Sequence, residues 1–379
     1  MKRFVWWHTY VNLHSRPLMD AMVRRGMEVV WMASQATISD RKGVWDTPDL
    51  PGIKLVVSPS ESQIEEELAR LPSETIHLFQ GFRGHRLSDE ILPRAISRDL
   101  ITGVFAENRP SQGQWSRSWK SKIPFLAQLR KAKYRQESAK FNEGLKFVLS
   151  AGYTGPVGGR AYYTSSGIKE ELLYPALYPL DPPTNLPPPD KSGPFQMVYV
   201  GQCIPRKAGD VMLQALARVS NVEWRLKLIG EGEERANWTA LASSLDIGDR
   251  VDFMGAVPLA QTHDEIARSD LLLLPSHFDA WGQVTVEALT RGVPTICTDT
   301  CGSRDLVQVD WRGCSVPAAD PGAMALAIDR QMAKGKNSEA ERIWRWSECI
   351  GSDAFSDYVL HVVASAVKGT PRPEPVWLT

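Results

Sequence analysis

The chain has few cysteines, and their arrangement suits no cysteine chemistry. There are five, an odd number, and all of them (Cys203, Cys297, Cys301, Cys314 and Cys349) lie in the C-terminal half. None forms a Cys-x-x-Cys pair with histidine partners, so neither a zinc site nor a disulfide framework is indicated. Cys297 and Cys301 read as reduced, buried, small apolar residues, and a cytoplasmic protein is the simple reading. An excess of one charge is also missing: 44 Lys and Arg balance 44 Asp and Glu, so no global field attracts nucleic acid. No apolar run approaches the ~18 residues that a membrane-spanning helix needs. The opening Met1–Trp7 has too short an apolar core for a secretory leader and reads as a first strand. No internal repeat of fixed period is evident. The composition that remains, 43% hydrophobic and 23% charged over 379 residues, is that of a globular chain long enough for two domains of about 150–200 residues.

Strand-like and helix-like stretches alternate along that length. In the first half, residues 2–7 read as a strand, 10–15 as a loop, Arg16–Arg25 as a helix stopped by Gly26, and Met27–Met32 as the next strand. Ile53–Val57 and Thr75–Phe79 read as strands separated by an acidic helix over Ser62–Leu71. Leu100–Ala106 and Leu145–Ala151 read as two more. Six prolines between Pro179 and Pro189 then mark a stiff linker. In the second half the expected strands are Gln196–Val200, Trp224–Ile229, Val251–Gly255, Leu271–Leu274 and Val293–Cys297. The expected helices cover 261–269, Val284–Arg291, Asp320–Met332 and Ser352–Val367. The expected organisation is a domain over 1–180, a linker over 181–194, a second domain over 195–350, and a C-terminal helix and tail over 351–379 that cross back to the first domain. Alternation in both halves predicts an α/β protein of two doubly wound, Rossmann-like domains facing each other across a cleft.

The most informative stretch is Asp279–Val307. The four leucines Leu271–Leu274 suit a strand buried on both faces of a parallel sheet. Pro275-Ser276 breaks that strand, the loop Asp279–Gln283 follows, and the helix begins at Val284. A strand, tight loop and helix start is where an α/β sheet holds an anion, because the first helical turn leaves backbone N–H groups unpaired. Asp279 and Glu287 are two carboxylates flanking that turn, suited to hydroxyls of a sugar and of a ribose. As a bland alternative they are a surface Asp and a helix-face Glu.

Asp279, seven residues, then Glu287-Ala288-Leu289 and Arg291-Gly292-Val293-Pro294 resembles the acidic-x7-Glu signature of retaining glycosyltransferases of family 4, which have the GT-B fold. Here the first acidic residue is Asp, in an Asp-Ala-Trp-Gly string. Gly201–Gly209 resembles the same family's second phosphate motif, with Lys207 at its lysine, Arg206 beside it and Gln202 where an arginine is usual. The resemblance covers residues 196–330 well and 1–180 loosely. It implies a hexosyltransferase that moves a sugar from a nucleotide diphosphate donor, a UDP-sugar being expected, to a hydroxyl of a glycan or glycolipid in cell-surface polysaccharide synthesis, with retention.

Under the resemblance, Asp279, Glu107 and Lys207 are catalytic. Arg206, Lys207, Trp281, Gly282 and Gln283 meet the donor phosphates, Glu287 the ribose, and Gly230, Phe253 and Val257 the nucleobase side. Phe253 has core packing as its competing reading. In the first half, Glu107 is the candidate acceptor-side carboxylate, with a loop cap as the alternative. Asn12 and His14 belong to the first loop, which lacks the family's usual glycine pair; a lone His there equally serves as a loop hydrogen-bonder. No Asp-x-Asp string suits a divalent ion beside the donor, so no metal and no cofactor are expected.

Residues 115–136 carry seven basic side chains, no acidic ones and interleaved aromatics. They read as a solvated helix face, a soluble acceptor loop, or a peripheral contact with anionic lipid on the inner face of the membrane. Two other functions remain open: a sugar-nucleotide 2-epimerase on the same fold, and a non-catalytic sugar-nucleotide-binding module.

Overall fold

The computed structural model describes residues 1–36, 50–107, 138–155, 158–188 and 192–379. The basic segment 115–136 lies outside the described residues. The chain divides into two compact units: Met1–Tyr153, Gly158–Pro179 and Ser352–Val376 form the first, and Thr154–Val157, Leu180–Gly351 and Trp377–Thr379 the second.

The first unit is a parallel sheet of seven strands: β1 (Arg3–Tyr10), β2 (Glu28–Gln35), β3 (Ile53–Val57), β4 (Thr75–Gln80), β5 (Ile101–Glu107), β6 (Phe147–Ala151) and β7 (Leu173–Ala176). Their order is β3-β2-β1-β4-β5-β6-β7. Strand order reverses between β1 and β4, which opens a crevice at the carboxyl ends of the strands. β1 reads Arg-Phe-Val-Trp-Trp-His and is buried along all six of those residues. That is the continuous burial expected of a parallel strand covered on both faces. Trp6 and Trp7 are buried in it, and Trp31 beside Trp6 in β2.

The amino end of β1 carries an unusual burden. Arg3 is fully buried, and its guanidinium pairs with Glu67 and Glu28. Glu67 sits on the helix Glu61–Ala69, which starts with a Ser60–Gln63 capping box. The helix Ser352–Lys368 belongs to this unit and packs on Arg16–Arg24. Arg24 donates to Ser352 Oγ at 2.7 Å and Asp353 at 2.9 Å, and Arg25 to Asp357 at 3.1 Å.

The second unit has six parallel strands: β8 (Phe195–Val200), β9 (Trp224–Ile229), β10 (Val251–Gly255), β11 (Leu271–Leu274), β12 (Thr295–Thr298) and β13 (Gly313–Val316). Their order is β10-β9-β8-β11-β12-β13, reversing between β8 and β11. All four leucines of β11 are fully buried. The proline-rich stretch runs along this unit: Trp344 Nε1 donates to the Pro183 carbonyl at 3.0 Å, and Leu180 N to that of Ile350 at 3.3 Å.

The α/β architecture of two doubly wound domains is the one expected. Elements absent from the sequence reading include the helices Leu92–Ser97, Gly159–Ser165, Arg235–Ser244 and Ala340–Trp346 and the strands β7 and β13. Each of those strands is only four residues long and forms a sheet edge. β7 contains Pro175, tolerable at an edge because an outward N–H is not needed there.

Candidate functional site

In the second unit, two loops leave the carboxyl ends of the central strands β8 and β11. The first passes Gly201–Ile204 and tightens into a 3₁₀ turn over Pro205–Lys207, which presents Arg206 and Lys207. Ala208 then takes a left-handed φ of 50° before the helix Gly209–Leu216. The second loop runs from Pro275 to Gly282. The His277 N–H donates to the Arg206 carbonyl at 2.9 Å, and Arg206 Nη1 to the Phe278 carbonyl at 2.6 Å, tying the loops together. Across that tie, Lys207 Nζ is ion-paired with the Asp279 carboxylate, and Arg206 Nη1 lies 4.0 Å from it. Lys207 and Asp279 are 72 residues apart in the chain and meet only through folding; each side chain is 14% exposed, so the pair is reachable from solvent but poorly screened.

A third loop supports the second. The Gly302 N–H donates to the Asp279 carbonyl at 3.0 Å, and the Ser303 N–H to that of Trp281 at 2.6 Å. Gly282 stands before the helix Gln283–Leu289 with φ 92°. A Cβ there would lie 2.8 Å from both Leu274 Cδ2 and Ser303 Oγ, so the position demands glycine for space as well as for backbone angle. Trp281 is buried, and its Nε1 donates to Gln283 Oε1 at 3.0 Å. These two expected phosphate-side residues are thus bonded to each other.

Glu287 lies one turn further along that helix, its side chain 13% exposed. Burial pushes its carboxyl up to about 7, with Arg291 opposing. Gly230, at the end of β9, approaches the β8 loop so closely that a Cβ would overlap the Gly201 carbonyl; its N–H donates to the Gly255 carbonyl at 2.8 Å. Phe253 is half-buried against the core of the unit, and its carbonyl accepts from Arg235 at 3.0 Å. Val257 is half-buried in the loop after β10.

The first unit has a cavity of about 450 Å³ at the carboxyl ends of β1, β4 and β5. His8, Tyr10, Asn12, His14, the turn Gln80–His85, Glu107, Tyr163 and Tyr178 line it. Glu107 ends β5. Its carboxylate accepts from the Tyr178 hydroxyl and its carbonyl from the Tyr163 hydroxyl at 2.7 Å. Gln80 Nε2 donates to the same Tyr178 oxygen at 3.3 Å. Asn12 shapes the first loop: its Oδ1 accepts from the Ser15 N–H at 2.8 Å, and its Nδ2 lies 3.0 Å from His8 Nε2. His14 sits edge-on to Tyr178, ring centroids 6.2 Å apart. Burial, reinforced by His85, lowers His8 to about 3, so it is neutral at ordinary pH.

The fold therefore brings Arg206, Lys207 and Asp279 into contact, with Gly282 and Glu287 on the same connection, while Glu107, Asn12 and His14 share the cavity of the first unit. His8, Tyr163 and Tyr178 were missed by sequence reasoning. His8 sits inside an apolar strand and Tyr178 heads the proline-rich stretch, so neither carries a local signal; Tyr163 belongs to an unexpected helix. Among the described residues, no group of three His, Cys, Asp or Glu side chains is placed to hold a metal ion, and no helix is long and apolar enough to cross a membrane.

Residues 187–343 match the family model described as Glycosyl transferases group 1, so the chain carries a glycosyltransferase group 1 domain. Among curated relatives, the lipopolysaccharide 1,6-galactosyltransferase of Salmonella typhimurium is 29% identical over 164 residues, 39% of this chain and 45% of that enzyme. The protein of the same name from Escherichia coli is 24% identical over 207 residues, 53% of this chain and 57% of that enzyme. The chain thus spans about half the length of these two relatives. Among solved structures, Anabaena HepE in complex with UDP superposes with a TM-score of 0.68 at 14% identity, covering 96% of this chain and 100% of that one. The apo form of the lipopolysaccharide outer core galactosyltransferase WaaB superposes with a TM-score of 0.65 at 17% identity, covering 97% and 99%. At those identities the likeness speaks for the fold, which is GT-B, with two parallel-sheet Rossmann-like domains.

Proposed function

We propose that the protein is a retaining family 4 glycosyltransferase that moves a sugar from a nucleotide diphosphate donor, with UDP as the nucleotide, to a hydroxyl of a glycan or glycolipid in lipopolysaccharide or related polysaccharide synthesis. The observation that carries this reading is the convergence of Arg206, Lys207 and Asp279 at the carboxyl ends of β8 and β11, eight residues before Glu287, inside the segment that matches the family. The UDP bound to one structural neighbour and the lipopolysaccharide chemistry of two relatives support the choice of donor and pathway class.

Lys207 and Arg206 meet the diphosphate, where charge-assisted hydrogen bonds are strong and the leaving group gains charge as the glycosidic bond breaks. A diphosphate competes with Asp279 for Lys207. Releasing Asp279 from that pair turns its carboxylate toward the transferring sugar. Glu287 takes the ribose. The acceptor occupies the cavity of the first unit, with Glu107 accepting from one of its hydroxyls. The leaving phosphate assists deprotonation of the acceptor on the same face, which retains the anomeric configuration. The two cations replace a divalent metal in this scheme.

A thermal-shift panel of UDP-, GDP- and ADP-sugars followed by turnover assays with glycan acceptors tests the reading. UDP-sugars should raise the melting temperature most, and product should form only with acceptor and in the presence of EDTA. Turnover of donor alone would identify a 2-epimerase instead. UDP binding with no turnover on any acceptor would identify a binding module.

A further inference from the structure

Glu287 has a histidine neighbour on the adjacent helix. The helices Leu259–Ala267 and Gln283–Leu289 pack against each other in the second unit. His263, in the second turn of the first helix, brings its Nε2 to 4.0 Å from Glu287 Oε2. That nitrogen is shielded from solvent and has no hydrogen-bond partner among the described residues. A buried ring nitrogen without a partner is costly, and the Glu287 carboxyl, 4.0 Å away, is a group able to satisfy it.

The other candidate to orient that carboxyl is Arg291. Its Nη1 donates instead to the Glu287 backbone carbonyl at 2.9 Å and to Thr290 Oγ1 at 3.1 Å. Arg291 thus fixes the end of the helix and leaves the carboxyl to another group. Burial holds His263 down to about 4, with Arg291 as the second cause, so the imidazole is neutral where Glu287 titrates. A neutral imidazole nitrogen donates to a carboxylate in one tautomer and accepts from a carboxylic acid in the other, so it can hold Glu287 in either state.

We propose that His263 is a positioning residue for Glu287: a rotation of the Glu287 side chain closes the 4.0 Å gap to a hydrogen bond, fixing one carboxyl oxygen on Nε2 and leaving the other for the ribose hydroxyls of the donor. The inference rests on Glu287 being the ribose carboxylate.

Calorimetric binding of UDP and of 2′,3′-dideoxy-UDP tests both at once, using the full chain and its Glu287→Ala, His263→Leu, His263→Gln and doubly substituted variants. His263→Leu should weaken UDP about 3- to 10-fold, the range of one net hydrogen bond. His263→Gln, with an amide that both donates and accepts, should recover most of that loss. Neither variant should alter binding of the dideoxy nucleotide, and His263→Leu should add nothing to Glu287→Ala. Should His263→Leu fail to fold, His263→Asn, whose shorter side chain falls short of Glu287, carries the same comparison. UDP binding unchanged by His263→Leu while Glu287→Ala weakens it overturns the positioning role and leaves the ribose reading intact. Equal weakening of both nucleotides by His263→Leu also overturns it, since it marks a merely structural histidine. Unchanged UDP binding by Glu287→Ala overturns the ribose reading itself.

Discussion

The two units have the same kind of parallel sheet and put it to use differently. In the second, the candidate site is made of charges and glycines on two short connections, Gly201–Gly209 and Asp279–Glu287. In the first, it is a cavity walled by imidazole, phenol and amide groups drawn from separate strand ends. Both units bury charge at the amino ends of strands, Arg3 at β1 in the first and Asp270 and Arg312 just before β11 and β13 in the second, and they differ in what stands at the carboxyl ends. The first unit buries Arg3 with Glu67 at the amino end of β1, away from its cavity at the carboxyl ends. The second keeps Lys207 and Asp279 at the carboxyl edge, where a ligand can exchange with either partner. Under the proposed function the pair at the carboxyl ends is the one a ligand exchanges with, whereas the shielded pair at the amino end of β1 has no such role.

Acid should separate the units most strongly. His8 and His77 are held near 3, mainly by burial with His85 and Arg3 as the respective second causes, against an ordinary value of 6.5. Their stabilising contribution is present above 6.5 and is lost as pH falls toward 3. In the second unit His263, held down to about 4, has the same sign over a smaller range, and Glu287 has the opposite one: raised from 4.5 to about 7, it contributes fully below 4.5 and loses that contribution as pH rises through 7. Urea unfolding followed between pH 7.5 and 4 should therefore show the first unit weakening, and His77→Gln should flatten that loss. An acid limb of the same steepness in the variant would remove His77 from the account.

Next in size is the buried pair. Glu67→Ala removes the buried one of the two carboxylates that pair with Arg3, leaves only the exposed Glu28, and should cost up to about 3–5 kcal/mol of stability, while Lys207→Ala, at the carboxyl end of its strand, should leave the unfolding midpoint nearly unchanged. Similar losses in both variants would erase the distinction between structural and exchangeable charge.

Asp279→Ala should lower turnover about 100- to 1000-fold, the range for losing one preorganised electrostatic contact, with little change in UDP affinity. Steady-state kinetics beside direct UDP binding measures the split. Loss of UDP affinity with unchanged turnover at saturation would reverse the assignment to the sugar.

The smallest expected effect is that of Tyr178→Phe, which removes the hydroxyl bonded to Glu107 and leaves the ring in place. The acceptor KM should rise about 2- to 10-fold, as for one hydrogen bond, with the donor KM unchanged. A change confined to the donor would detach the cavity of the first unit from the acceptor.

Much of the fold was legible in the sequence because its signals are local. The leucine run Leu271–Leu274, the glycine stops at Gly26 and Gly292, and the spacing from Asp279 to Glu287 each lie within about ten residues of chain. Parallel strands buried on both faces read as apolar runs, and helix stops depend on one or two residues. Strands β7 and β13 escaped because four residues at a sheet edge carry little periodicity, and Pro175 argues against a strand until its edge position is known.

The sequence by itself determined the architecture and the members of the charged cluster, since propensity, pattern and motif spacing are properties of neighbouring residues. Only the tertiary structure decided that Lys207 is paired with Asp279, that Tyr178 holds Glu107, and that His263 stands 4.0 Å from Glu287. Those pairs are separated by 72, 71 and 24 residues respectively. Which of two distant polar groups meet depends on strand order and helix packing, and so does how much water is left between them. No local pattern encodes either quantity.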